Sequence, residues 1–127
     1  MPVKVVDASA LAALLFGEPE ANSVAERLGD ARLVAPMPLS YELAKVCLVK
    51  SRRHPELRPA LTAAFRLRAR LCVDDLPVDH DGAVEFAAIA DLSAYDASYL
   101  WLSRQLAAEL VTLDKRLSKA TAASSSP

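Results

Sequence analysis

The sequence predicts an α/β fold of one domain, in which a mainly parallel sheet carries helices on both faces. Short runs of β-branched and apolar residues alternate with longer helix-forming segments, which is the order expected of parallel strands joined by helices. The chain has 127 residues, of which 53% are hydrophobic. That length suits one compact core, and the pattern divides into about four or five strands and about seven helices.

The elements of the first half are bounded by glycine and proline. β-Branched residues predict the first strand, and each of the first two helices ends at a glycine, which readily adopts the conformation of a helix C-terminus. The third helix ends before Pro55, because the residue before a proline is pushed out of the helical region, and it forms a hairpin with the fourth. The predicted elements are a strand at 3–6, helices at 8–16 and 19–28, a strand at 32–35 that Pro36 and Pro38 end, and helices at 39–53 and 56–70.

The second half repeats this alternation. Ser93 opens a helix with a pattern similar to a capping box, in which Asp96 takes the place of Glu or Gln. We expect one domain over 1–119 and a disordered tail over 120–127, whose residues are small and polar. The predicted elements are a strand at 71–74, helices at 81–90 and 93–106, a strand at 109–112 and a helix that ends near Lys119.

Composition argues against several classes of protein. No apolar run approaches the ~20 residues needed to cross a bilayer, and the N-terminus lacks a signal-peptide pattern, so we expect a soluble, cytoplasmic protein without membrane contact. Cys47 and Cys72 lie far apart with no histidine at ligand spacing, which favours two buried thiols over a disulfide or zinc site. The net charge is −1, but residues 45–70 are strongly basic and residues 71–96 acidic. These blocks are either solvated helix faces or surfaces for a polyanion and a cation.

Four carboxylates stand where the predicted fold could bring them together. Asp7 and Asp114 both follow strands, so they emerge at one edge of a parallel sheet and flank its switch point if those strands are neighbours. Asp96 begins the helix that leads to the last strand. Glu42 lies on the apolar stripe of the third helix, where a carboxylate is costly to desolvate. Each also has an ordinary explanation, as a helix cap or as a side chain that reaches water.

A crevice lined by several carboxylates needs a counter-ion, because like charges at close range repel one another. Oxygen donors without Cys or His favour Mg²⁺ or Mn²⁺. Divalent ions at such a site suit displacement at phosphorus, since they activate water and neutralise the attacking and leaving oxygens. These residues therefore indicate metal-dependent phosphoryl chemistry.

Four blocks of the chain resemble the motifs of PIN-domain ribonucleases, in particular VapC-type toxins: VVDASAL at 5–11, YELA at 41–44, SAYDASYL at 93–100 and LVTLDKRL at 110–117. The resemblance implies a PIN-like three-layer α/β/α fold. It implies an endoribonuclease toxin dependent on Mg²⁺ or Mn²⁺, which cleaves structured RNA (tRNA or rRNA) by metal-activated water and leaves a 5′-phosphate. The roles it implies are metal binding for Asp7, Asp96 and Asp114, orientation of a water for Glu42, and orientation of carboxylates for Ser9 and Thr112.

The resemblance also implies a homodimer and a VapB-type antitoxin whose C-terminal segment blocks the site. Under this interpretation the basic block contacts RNA, and the candidates are Arg52, Arg53, Arg66 and Arg70. Two alternatives stay open. One is a receiver-type phosphoacceptor domain, for which Asp74-Asp75 would imitate the acceptor although Asp7 lacks an acidic neighbour; the other is a PIN-like domain that binds protein without catalysis.

Overall fold

The computed structural model describes residues 2–37 and 39–124, and it confirms the predicted α/β architecture. All described strands pair in parallel in one sheet of order β3-β2-β1-β4. The chain thus winds outward from β1 and then returns to place its last strand beside the first. The strands are β1 (Val3–Val6), β2 (Arg32–Pro36), β3 (Asp74–Leu76) and β4 (Glu109–Val111).

Helices connect these strands, as parallel pairing requires. Two short 3-10 helices, Pro55–Leu57 and Leu67–Leu71, flank α4. None of the described helices combines the length and apolar character needed to cross a membrane. The α-helices of the described residues are α1 (Ala8–Leu15), α2 (Ala21–Leu28), α3 (Leu39–Arg53), α4 (Arg58–Arg66), α5 (His80–Ala90), α6 (Ala94–Leu106) and α7 (Lys115–Ser124).

The register of β1 determines which residues leave the sheet together. Val5 pairs with Val34 of β2 and with Leu110 of β4, and all three are buried. The backbone N–H of Asp7 donates to the carbonyl of Val111 at 3.2 Å, so the β1–β4 ladder continues to the end of both strands. The residues that follow β1 and β4 therefore start from the same edge, as the sequence predicted.

The predicted third strand at 71–74 is wrong by several residues. The helical hairpin continues as 3-10 helix to Leu71, and Cys72 then takes a left-handed conformation at φ 52°, so the apolar run is not extended. The paired strand is instead Asp74–Leu76, at the sheet edge, where acidic side chains stay in solvent. Cys47 is buried as expected, but Cys72 is exposed because of this turn.

Several helix boundaries also differ from the prediction. Helix α2 starts at Ala21 rather than at Pro19. The helix expected at 56–70 is α only over Arg58–Arg66, with Pro59 in its first turn, where proline is favoured, and 3-10 helix precedes and follows it. Helix α7 continues to Ser124 rather than Lys119, since its last residues include alanines. It takes up part of the segment expected to be a disordered tail. The rest of that segment, 125–127, lies outside the described residues. So does Pro38, one of the two prolines predicted to end the second strand.

The contact between α5 and α6 depends on a glycine. A Cβ at Gly82 would collide with Nε1 of Trp101 and lie 2.8 Å from its Cδ1. We predict that Gly82→Ala lowers the free energy of unfolding by about 1–3 kcal/mol, the usual cost of overpacking. Urea denaturation is the measurement. In a Trp101→Ala background the same change should stabilise by up to ~1 kcal/mol from the helix propensity of alanine, because the other close atom, Oδ2 of Asp79 at 3.2 Å, is the end of a side chain that can shift. Destabilisation in both backgrounds would contradict the contact.

Candidate active site

The buried carboxylate of Asp7 is the centre of the candidate site. Only 4% of this residue is exposed. Its Oδ1 accepts hydrogen bonds from Ser9 Oγ at 2.8 Å and from the N–H of Ala10 at 3.0 Å, and its Oδ2 accepts from Thr112 Oγ1 at 2.5 Å. Asp7 therefore caps α1, its ordinary explanation, and is also fixed by the two hydroxyls that the resemblance indicated.

The same hydroxyls hold the chain that follows β4. The N–H of Leu113 donates to Ser9 Oγ at 2.9 Å, and the N–H of Asp114 donates to Thr112 Oγ1 at 3.0 Å. Asp114 then caps α7, since its Oδ1 accepts from two backbone N–H groups of the first turn. These bonds lock the segment after β4 against the end of β1.

Glu42 is held by a residue that sequence reasoning missed. The hydroxyl of Tyr99, which is 1% exposed, donates to Glu42 Oε1 at 2.6 Å. This donor explains how a carboxylate is accommodated on the apolar side of α3. A signal was present in the sequence, because Tyr99 lies three residues after Asp96 and so shares its face of α6.

Asp96 has the least constrained carboxylate of the four. Its N–H donates to the Oγ of Ser93, the N-cap of α6, at 3.1 Å, which confirms the predicted cap. Within 2–37 and 39–124, no ion pair reaches its side-chain oxygens, and the hydroxyl of Ser93 lowers the pKa of the carboxyl by hydrogen bonding, although less than burial raises it. One hydroxyl contact leaves carboxylate oxygen available to a ligand.

The four carboxylates share one electrostatic environment. Burial is the main cause that raises the pKa of Asp7, of Glu42 and of Asp96 above their ordinary values. The charge of Asp114 further raises the pKa of Asp7 and of Asp96, and the charges of Asp96 and Asp7 raise that of Glu42. Side chains from four separate parts of the chain are thus close enough to repel one another.

Two cations partly offset this repulsion, and neither was a predicted site residue. Lys45, one turn after Glu42 on α3, lowers the pKa of Glu42, although less than burial raises it. Arg116, in the first turn of α7, has the same lesser effect on Asp96. The remaining raised pKa values show that these charges do not neutralise the site.

The donor set fits a hydrated divalent cation. Among the described residues, no group of three His, Cys, Asp or Glu side chains is close enough to enclose an ion directly. Mg²⁺ does not require such a group, because it usually keeps several waters and binds through one or two carboxylates. Hard oxygen donors whose charges repel one another are what such an ion prefers.

Beside the acids lies a cleft of about 710 Å³ with basic residues on its wall. Of the predicted RNA-contacting residues, only Arg53 lines this cleft, together with Lys45 and Lys50. Arg52 lines a different cleft in the helical hairpin, while Arg66 and Arg70 are exposed, one in the last turn of α4 and the other in the 3-10 helix that follows. Contact of these arginines with RNA stays a prediction.

The geometry of β3 disfavours the receiver alternative. Asp74 and Asp75 lie within the strand rather than after it, and Asp74 forms an ion pair with Arg32 at 2.9 Å. An acceptor carboxylate would instead have to reach the site beyond the strand ends.

A comparison with protein-family models agrees with this fold. The family model described as PIN domain matches residues 4–123, which is nearly the whole chain. No protein with a curated description matches the sequence.

Two solved structures are similar to this one in fold. PAE2754 from Pyrobaculum aerophilum has a TM-score of 0.74 and 24% identity, over 94% of this chain and 86% of its own. Mycobacterium tuberculosis VapC20, described as a sarcin-ricin loop cleaving toxin, has a TM-score of 0.63 and 20% identity, over 92% of this chain and 94% of its own. At these identities the likeness shows a common fold.

The raised pKa values predict a pH-dependent cost to stability in metal-free protein. An acid with a raised folded-state pKa keeps its proton longer when folded, so it lowers stability as pH rises from its unfolded pKa, about 4, through its folded pKa. We expect Asp96→Asn to match the wild-type Tm near pH 4 and to exceed it at pH 7 in EDTA. Mg²⁺ or Mn²⁺ should narrow the difference at pH 7. A Tm gain independent of pH would contradict the repulsion.

Tyr99 should set the titration of Glu42. Its own pKa is raised, first by burial and then by Glu42, so the hydroxyl stays protonated and donates. Because this hydrogen bond lowers the pKa of Glu42, we expect Tyr99→Phe to raise that pKa further, as measured by NMR titration of the carboxyl carbon. Tyr95→Phe, which alters an exposed tyrosine of the same helix, is the matched control. An unchanged Glu42 titration in Tyr99→Phe would show that the hydrogen bond is not formed.

Proposed function

Because this chain belongs to the PIN-domain family, we propose that it is a Mg²⁺- or Mn²⁺-dependent endoribonuclease and the toxin of a toxin–antitoxin pair. Its substrate is structured RNA, a tRNA or an rRNA stem-loop. The observation that carries the proposal is the mutual repulsion of Asp7, Glu42, Asp96 and Asp114 at one edge of a parallel sheet. A purely structural role for four mutually repelling acids gives no reason to keep them together.

The three aspartates would hold the ion, directly or through water. Asp96 offers carboxylate oxygen with a hydroxyl of Ser93 as its one side-chain hydrogen-bond partner among the described residues, and Asp114 offers Oδ2, since its Oδ1 caps α7. Asp7 has both oxygens bonded to the protein, so it acts mainly as a fixed negative charge. When bound, the ion activates water and neutralises charge on the phosphodiester oxygens.

Glu42 would orient the attacking water. Tyr99 occupies Oε1, which leaves Oε2 to accept a proton or a hydrogen bond from that water. Ser9 and Thr112 would act through Asp7, because they hold its carboxylate in one orientation. Lys45 and Arg116 lie near enough to the acids to meet substrate phosphates.

The substrate class and the partners are proposed from the similarity in fold to VapC20. VapC20, similar in fold, is described as cleaving the sarcin-ricin loop, which supports a structured RNA substrate. The VapC-like fold also supports a VapB-type antitoxin and a cytoplasmic location. A homodimer belongs to the same proposal on the resemblance of the sequence motifs alone. An inactive PIN-like binding domain is the second candidate, and it requires that the purified protein cleave nothing.

Cleavage by purified protein tests the proposal. We expect tRNA or an rRNA stem-loop to be cut in Mg²⁺ or Mn²⁺ and left intact in EDTA. Asp96→Asn should abolish cleavage while the Tm stays the same or rises, because the change removes one of several like charges and the amide oxygen of asparagine can still accept a hydrogen bond from Ser93. Gel analysis of end-labelled RNA is the measurement.

Asp75→Asn is the matched control, since Asp75 is an exposed acid of the edge strand. It should cleave at the wild-type rate. Cleavage that persists undiminished in Asp96→Asn, or that does not require a divalent ion, would refute the assignment. Phosphorylation by a small phosphoryl donor without RNA cleavage would favour the receiver alternative.

A further inference from the structure

We propose that Tyr41 and Tyr95 form a nucleobase-binding subsite beside the four acids, which takes an unpaired base of single-stranded RNA. The proposal rests on the proposed ribonuclease function and specifies which part of the RNA is recognised. It requires that the substrate present at least one unstacked base next to the cleaved phosphodiester.

The two tyrosines line the same cleft, and that cleft adjoins the acids. Its wall includes both tyrosines, Glu42 and Ala8, the residue after Asp7. Tyr41 directly precedes Glu42 in the first turn of α3, and Tyr95 directly precedes Asp96 in the first turn of α6. A base held between these helices therefore lies next to the position where the proposed reaction takes place. The cleft volume, about 710 Å³, is within the range of small-ligand sites.

Core packing does not explain these side chains. Tyr41 is 84% exposed and Tyr95 is 60% exposed, whereas Tyr99 of the same region is almost completely buried. No hydrogen bond from the described part of the chain uses either exposed hydroxyl. Aromatic side chains stack on bases of any identity, which is how proteins commonly bind unpaired RNA.

The charge of the cleft favours a nucleotide over an apolar peptide. Lys45 and Arg53 line it, and neither forms an ion pair with another described residue. Lys50 also lines it, but it is paired with Glu18 at 2.6 Å. Cations around exposed aromatic faces suit a ribose-phosphate backbone with a base between the rings.

A neighbouring apolar cleft provides a contrast. Tyr95 also lines that cleft, whose other walls include Pro36, Met37, Leu76 and Val84. Among the residues that the structure describes, those lining this cleft include no Lys or Arg. The base therefore belongs on the side of Tyr95 that faces Glu42, where phosphate-binding cations are present.

The test compares binding of two probes by uncleaving protein. The Asp96→Asn variant in EDTA is titrated with a fluorescent single-stranded oligoadenylate and with an abasic oligomer of the same length and charge. We expect Tyr41→Ala and Tyr95→Ala to weaken oligoadenylate binding by about 5- to 150-fold, the range measured for base–aromatic stacking, and to leave the abasic Kd unchanged. Tyr41→Phe and Tyr95→Phe should retain wild-type affinity, because the ring is sufficient for stacking.

Lys45→Ala is the comparison for the phosphate contribution. It should weaken binding of both probes and reduce the salt dependence of both Kd values. Unchanged oligoadenylate affinity in the two tyrosine-to-alanine variants, or an equal loss for both probes, would overturn the subsite. Both tyrosines are exposed, so the variants are expected to fold, and their Tm values check this.

The binding test separates this proposal from the nuclease proposal. Tyrosine-dependent binding of oligoadenylate by a protein that cleaves no RNA in Mn²⁺ would refute the nuclease and support the base subsite. Metal-dependent cleavage by a protein whose RNA affinity does not change when either tyrosine is replaced by alanine would support the nuclease and refute the base subsite.

Discussion

The parallel pairing of β1 with β4, fixed at its end by the carboxylate of Asp7, is the constraint on which the site depends. Thr112, the residue after β4, donates to Asp7, and Ser9 receives a backbone N–H from the same segment. This network lies where the chain leaves two adjacent parallel strands, the place where open α/β sheets bind ligands. Without it Asp114 would not be held next to Asp7. The placement of Asp7 and Asp114 thus follows from the sheet topology together with two hydroxyl groups.

That arrangement has an electrostatic cost. Asp7 is buried with three donors, yet its pKa is still raised, because desolvation outweighs its hydrogen bonds and Asp114 adds repulsion. Glu42 and Asp96 show the same balance with fewer compensating groups. Acids that repel one another lower the stability of the fold. Their presence together is therefore typical of a site in which a bound ligand compensates for the repulsion. In the proposed function, the ligand that relieves this repulsion is a divalent cation.

The sequence predicted the parts of the fold that local chemistry determines. A run of β-branched residues predicted β1, which ends before Asp7, and prolines predicted the limits of α3. A capping side chain predicted that Ser93 opens α6. The structure agrees with each of these predictions. The third strand was misplaced because an edge strand needs few apolar residues, and the apolar residues before it pack in a 3-10 turn instead. The sequence did not determine the order of the strands. It predicted only that Asp7 and Asp114 flank the switch point if the first and last strands pair.

The candidate site was predicted less completely than the fold. The four acids and the two hydroxyls could be named because each belongs to a recognisable block. Tyr99 and Arg116 were missed, since their importance comes from contacts between separate segments, α6 with α3 and α7 with α6. Helical spacing places Tyr99 on the same face as Asp96 but does not say that this face meets α3. Lys45 lies one turn after Glu42 on the same helix, a local signal that was also missed. The sequence showed that the basic residues cluster in the helical hairpin. It did not show that Arg53 lines the cleft beside the acids while Arg52 lines a different cleft.

Anomalous diffraction from a crystal grown with Mn²⁺ tests the central claim most directly. The account predicts a manganese peak within coordination or water-mediated reach of Asp96 and Asp114, with Asp7 and Glu42 around it. Loss of that peak in Asp96→Asn crystals would agree with the account. Ordered carboxylates with no manganese peak among them, in crystals that contain millimolar Mn²⁺ and diffract well, would contradict it.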